Sequence, residues 1–245
     1  MSRTNRDNEL RNPATRFFEW SSNDKTLTWY DKEEKKNVTV ELPFVFLVLD
    51  QLSTITGWSD NDQSGIWSNE IRDTRKDILT VRTKLGTKDV GLYEKVKHVP
   101  GARYTRSIYI AFQDGDELVL GHLKLKGAAN SAWIEFTKSA GDIYAGAVRV
   151  TGAVEGKKGA TVYYSPEFAM NSVSKETLDK ADELDRQLQA YLSVYLARSP
   201  ETEQAQTAAA GWSDGKAGRG DYSEPEGYEP NFSGPPEDYD DSIPF

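Results

Sequence analysis

The chain has no cysteine and only two histidines among its 245 residues. Without cysteine there is neither a disulfide framework nor a thiolate metal site. His98 and His122 alone are too few for the usual imidazole chemistry of zinc. A Gly-x-x-x-x-Gly-Lys-Ser/Thr loop is also missing, which removes the common phosphate cradle of nucleotide hydrolysis. The longest apolar run, residues 42–49, is too short to span a bilayer. Met1-Ser2-Arg3-Thr4-Asn5-Arg6 is followed by no apolar stretch, which predicts that no secretory leader is present. Carboxylate pairs do occur, at Glu33-Glu34 and at Asp60 with Asp62, but among lysines and turn residues they read as solvated turn charges. Asp60-Asn61-Asp62 lacks the bidentate Glu that a calcium loop places at its twelfth position. The expectation is a non-catalytic cytoplasmic protein with no cofactor, no metal and no membrane span.

The net charge of −9 is unevenly placed. From Glu201 onward there are eleven acidic residues and two basic ones, Lys216 and Arg219, so everything before is balanced. The low isoelectric point belongs to the last part of the chain and does not argue against a polyanionic ligand for the rest. That last part is also rich in Gly, Pro and Ala, which cannot repay the entropy of ordering, so 200–245 is expected to be a disordered acidic tail.

The preceding residues read as mainly β. Short segments rich in Val, Ile, Thr and aromatics predict strands at 16–20, 27–30, 38–42, 44–56, 65–71, 78–84, 90–96, 103–113, 117–126, 143–154 and 160–164. Asp114-Gly115 and Gly156-Lys157-Lys158-Gly159 are hairpin signals. Strands of this number and spacing suit a barrel or a sandwich over 1–172. Ala132, Trp133 and Phe136 predict a short helix over 128–138 that plugs a barrel end, with a twelfth strand as the alternative. Ser174 is a good N-cap for a helix over 173–199. Its stripe of Leu178, Ala181, Leu184, Leu188, Tyr191, Leu192 and Tyr195 is expected to pack on the barrel or to serve as a subunit interface of a homo-oligomer.

Between Ile71 and Ile108 ten cations face four carboxylates. Of these, Arg72, Arg75, Lys76, Arg82, Lys84, Lys88, Arg103 and Arg106 are the candidate phosphate contacts. Trp58, Trp67, Tyr93 and Tyr104 are interleaved with them, and Trp29 and Tyr30 stand in a similarly polar setting, making these six the candidate stacking platforms. Cations that track phosphates and flat rings on which bases stack are the two needs of a single-strand binder. Alternation places Arg82 and Lys84 on one strand face with Val81 and Leu85 toward the core. Phe17, Phe18, Trp20, Phe44, Phe46 and Trp133, lying in apolar runs, are read as core.

The chain ends Asp240-Asp241-Ser242-Ile243-Pro244-Phe245, an apolar tip bearing a free carboxylate behind acidic residues that include Asp238. Such a tip fits a partner with an apolar pocket rimmed by Arg or Lys. It resembles the C-terminal tip of bacterial and bacteriophage single-stranded DNA-binding proteins, with Ser242 where a third acidic residue or a similar spacer is usual. The resemblance implies an oligonucleotide/oligosaccharide-binding (OB-fold-like) barrel, sequence-independent binding of single-stranded DNA in replication, recombination and repair, and recruitment of the enzymes of those processes through Asp238, Asp240, Asp241, Ile243, Pro244 and Phe245. Three other readings remain open at this point: an adaptor that carries the tip without binding DNA, a carbohydrate-binding β-module using Trp58 and Trp67, and a nuclease.

Overall fold

The computed structural model describes residues 11–197, so the acidic segment and its tip lie outside the described residues. The chain is mainly β. Eleven strands form one sheet: β1 (Arg16–Ser21), β2 (Thr26–Asp31), β3 (Lys36–Thr39), β4 (Phe44–Ser59), β5 (Ser64–Ser68), β6 (Leu79–Thr83), β7 (Gly86–Gly91), β8 (Ala102–Asp114), β9 (Glu117–Lys126), β10 (Ala147–Lys158) and β11 (Thr161–Asn171). Three helices accompany them: α1 (Tyr93–Val96), α2 (Gly127–Ser139) and α3 (Lys175–Leu196).

The sixteen-residue β4 organises the sheet. Along one edge it pairs with β8, from Phe46↔Phe112 to Gly57↔Ala102. Along the other it pairs first with β10, Leu47↔Ala147, and then with β5, Thr56↔Trp67. A bulge between Val48 and Asp50 bends the strand between these two duties. The order β1-β9-β8-β4-β10-β11 therefore curls on itself, with β1 parallel to β9. The turn is closed by two hydrogen bonds: the Trp20 indole N–H donates to the Tyr164 carbonyl at 2.8 Å, and the Tyr164 N–H donates to Ser22 Oγ at 2.8 Å. This is a barrel-like enclosure.

Its interior holds Phe18, Phe46, Ile108, Ile110, Phe112, Leu123, Val148 and Val150, each alternating with outward residues along its strand. The predicted helix near 128–138 is present as α2, and it plugs the enclosure. Trp133 stands T-shaped to Phe168 at 5.0 Å, and its buried N–H donates to Gln51 Oε1 at 2.8 Å. β5, β6 and β7 extend the sheet past the enclosure around a second core of Ile55, Ile66, Ile71, Leu79, Val81, Tyr93, Val96 and Tyr104.

α3 begins as its sequence dictates, with the Thr177 N–H donating to Ser174 Oγ at 3.1 Å. Its stripe lies on the outside of the sheet: Leu188, Tyr191, Leu192 and Tyr195 cover Leu52, Tyr109 and Leu120, while Ala181 sits on Leu47, Ala111 and Ala147. Each leucine buried this way contributes about 1.5–3 kcal/mol.

Three sequence expectations are corrected. The strand expected over 90–96 ends at Gly91, and Tyr93–Val96 form α1 instead, turning both residues into the second core. Leu85 points away from the core and is 69% exposed, because β6 ends at Thr83 and Leu85 falls in the turn to β7, where strand alternation no longer applies. Phe17, expected in the core, is 37% exposed on the outer face. Its neighbour Phe18 takes the inner position, opposite Trp29.

Candidate nucleic-acid interface

α3 covers only part of the sheet's outer face. Beyond its C-terminal end the face continues as rows of side chains set by the ladder registers, since directly opposed residues present their side chains on the same side about 5 Å apart. One row crosses four strands: Arg103 (β8) opposes Thr56 (β4), which opposes Trp67 (β5), which opposes Arg82 (β6). In the row to one side Trp58 opposes Gly65. In the row to the other, Thr54 opposes Thr105, both buried, and Thr105 opposes the partly exposed Lys126. In the next row Leu52 and Ser107 are buried beneath α3 and Glu70, and Lys124 and Glu19 carry the face on across β9 and β1. Thr56 and Thr105 share a 2.6 Å hydroxyl hydrogen bond across the rows.

Trp58 is held in place by backbone. The chain at Gly101, with φ of +81°, lies so close to β4 that a Cβ there would meet the Trp58 carbonyl oxygen at 1.9 Å. A Cβ at Gly57 would meet the Gly101 carbonyl oxygen at 2.0 Å. Only glycine fits at either position.

The sequence-predicted residues separate sharply. Trp58 and Trp67 stand half-buried on the outer face, and Tyr30, adjacent to inward Trp29, lies on the outer face by alternation. Tyr93 and Tyr104 are corrected: each is 5% exposed, the rings meet edge to face at 5.4 Å, and the Tyr104 hydroxyl is bonded to Ser53 Oγ at 2.8 Å, so neither offers a ring face to a base. Trp29 is packed against the main core, with the Arg16 guanidinium 4.3 Å from its ring centroid, and is corrected likewise.

Among the predicted phosphate contacts, Arg82 and Arg103 stand in the aromatic row. Arg72 does not: it grips buried Asp50 through two hydrogen bonds, at 3.0 and 2.8 Å, and Gln189 of α3 donates to the same carboxylate, making a clamp that ties the 69–72 segment and α3 to β4. Asp50 raises the pKa of this guanidinium further. Lys88 is paired with Asp62, and the bonds from Lys88 and Thr83 hold that carboxyl below its usual range. Lys84 donates to the Gln63 carbonyl at 2.9 Å, and Lys76 pairs with Asp73 at 3.2 Å. Arg75 lies exposed in the 73–77 turn beside them. Arg106, opposite Ser53 and Leu125, is on the inner side, 5.5 Å from the Tyr104 ring. The basic stretch of the sequence is thus divided among hairpin, turn and both sheet faces.

Two outer-face cations were missed, Lys124 and Lys126. Their signal is present in Leu123-Lys124-Leu125-Lys126, an alternating strand whose leucines are fully buried. Lys126 pairs with Glu19 at 3.4 Å, whereas Lys124 makes no ion pair among the described residues.

On the same face, covered by Glu70 and the end of α3, lies a closed polar cluster. Ser107 Oγ bonds both Glu70 and His122 Nε2, the Tyr109 hydroxyl donates to Glu70 at 2.7 Å, and the Glu70 N–H donates to the Tyr195 hydroxyl at 2.9 Å. Burial pushes the Glu70 carboxyl up, but facing His122 and the bonds from His122, Ser107 and Tyr109 outweigh it and hold the group at about 2. Serine, histidine and glutamate together invite a catalytic reading, and the geometry argues against it. A relay needs serine and carboxylate on opposite imidazole nitrogens. Here both use Nε2, Nδ1 has no partner, and all three side chains are buried. Among the described residues no group of three His, Asp or Glu gathers to hold a metal ion, and no helix is long and apolar enough to cross a membrane.

No family model, curated protein or solved structure matches the chain.

Proposed function

We propose that the protein binds single-stranded DNA without regard to sequence on the open outer face of its sheet, and recruits replication, recombination and repair enzymes through its acidic C-terminal tip. One observation carries the reading: the row Arg103–Thr56–Trp67–Arg82, with Trp58 beside it, sets guanidinium groups on both sides of a half-exposed indole across four hydrogen-bonded strands. Bases stack on such rings at about 1–3 kcal/mol each, and cations at this spacing neutralise the phosphates between them. The platform is rigid because its residues alternate with core residues Ile55, Ile66, Val81 and Tyr104 on the same strands. Duplex DNA hides its base faces and gives the indoles nothing to stack on.

The tip contributes at a different level. Asp238, Asp240, Asp241, Ile243, Pro244 and Phe245 supply an acidic, apolar-ended peptide on about 48 residues of chain beyond Ala197. The same reading places the protein in the cytoplasm, where both classes of partner are found.

Fluorescence anisotropy with labelled single-stranded and duplex oligonucleotides over a range of salt tests the DNA-binding half. The expected result is tight single-strand binding whose affinity falls steeply with salt, and far weaker duplex binding. A chain shortened by its last six residues should bind DNA as well or better. If neither nucleic acid binds while the tip still captures replication enzymes, the protein is an adaptor and the DNA-binding reading is wrong.

A further inference from the structure

The outer face does not end at Lys124. It continues onto β1 and β2, where Phe17 opposes His122 and Tyr30 lies on the neighbouring strand. We propose that Phe17 and Tyr30 form a second base-stacking subsite, joined to the Trp67 row by Lys124. This assignment rests on the single-strand reading above.

An exposed apolar ring is ordinary by itself. Phe17 differs in how it is held and in what surrounds it. Its ring meets His122 nearly edge-on, at 5.6 Å and 73°, so the imidazole supports one side of the ring while 37% of the residue remains accessible. His122 is immobilised in turn, stacked on Tyr109 at 4.5 Å and bonded within the Glu70–Ser107 cluster. The polar cluster, which the nucleic-acid row does not touch, thereby acquires a purpose: it fixes the orientation of an aromatic platform. Such preorganisation is what a stacking site needs, because little ordering remains to be done when the base arrives.

Position supplies the second argument. β1 and β5 are separated by β9, β8 and β4, so Phe17 and Trp67 are about 19 Å apart across the sheet. They are offset by three rows along it. Lys124 lies between them on β9, with no ion pair among the described residues. A single strand seated on Trp67 and led diagonally over Lys124 arrives at Phe17. The path follows the flank of α3 without crossing it, since α3 covers Leu52, Tyr109 and Leu120.

The test compares oligo-dT of about 4 and about 12 nucleotides on the full chain, using wild type, Phe17→Leu, Lys124→Ala and Trp67→Leu. Leucine keeps an apolar contact with His122 but has no flat face, and thermal melting checks that each variant is folded. Phe17→Leu should weaken the long oligonucleotide roughly tenfold and leave the short one unchanged. Lys124→Ala should lower the salt slope for the long one by about 0.7. Trp67→Leu should weaken both. If Trp67→Leu weakens binding while Phe17→Leu and Lys124→Ala match wild type at both lengths, the second subsite is wrong and the single-strand reading stands. An equal loss from Phe17→Leu on short and long strands also overturns it, because a short strand on Trp67 does not reach Phe17. If wild type binds neither length, both readings fall together.

Discussion

Arg103 and Tyr104 are neighbours in β8 and belong to different parts of the molecule. Arg103 stands on the outer face beside Thr56 and Trp67, whereas Tyr104 is sealed into the second core against Tyr93. The same division runs through β4, where Thr56 and Trp58 face outward and Ile55 inward, and through β9, where Lys124 and Lys126 alternate with Leu123 and Leu125. Each strand thus carries two sequences with period two, one turned to the core and one turned outward. A count of charges and rings along the chain adds the two together.

Substitutions on the two faces should therefore separate stability from binding. The largest effect is expected inside. Tyr104→Ala empties a buried site and breaks the bond to Ser53, so urea denaturation should show a loss of about 3–5 kcal/mol, while DNA affinity per folded molecule is unchanged. The buried cluster should follow next. Because the Glu70 carboxyl is held at about 2 in the folded chain against an ordinary 4.5, the stability it contributes is complete above pH 4.5 and is lost as pH falls toward 2. Urea midpoints measured over that interval should fall by an amount on the order of 3 kcal/mol, and Glu70→Gln should flatten this part of the profile. Outside, Trp67→Leu should cost about 1–3 kcal/mol of single-strand affinity with a stability change of about 1 kcal/mol or less. The smallest effect sharpens the comparison most: Arg103→Ala should lower the salt slope of DNA binding by about 0.7, whereas Lys88→Ala, which removes a partner of Asp62, should leave that slope unchanged.

Much of the architecture is legible in the sequence because it is written locally. The Ser174 cap and the stripe from Leu178 to Tyr195 define α3, the spacing of Trp133 and Phe136 defines α2, and Asp114-Gly115 sets the β8–β9 hairpin. The site was less legible because its rows are made by pairing between distant strands. Trp67 meets Arg82 through one ladder and Thr56 meets Arg103 through another, and neither register follows from local pattern. The misplacements have specific causes. The turn after Thr83 took Leu85 out of the strand, helix α1 drew Tyr93 inward, and the Phe17–Phe18 pair hid the fact that only one of two adjacent rings in a strand can face the core. Arg72 looked like a phosphate ligand until its partner, twenty-two residues earlier in the chain, was brought beside it.

The central claim is that Trp67 and Trp58 are the stacking platforms for single-stranded DNA, and intrinsic tryptophan fluorescence titrated with oligo-dT tests it most directly. Quenching by the single strand should be strong, relieved by salt, absent with duplex and largely abolished when Trp58 and Trp67 are both replaced by phenylalanine, while the emission of buried Trp133 persists. Full quenching retained in that double variant, or equal quenching by duplex, would contradict it.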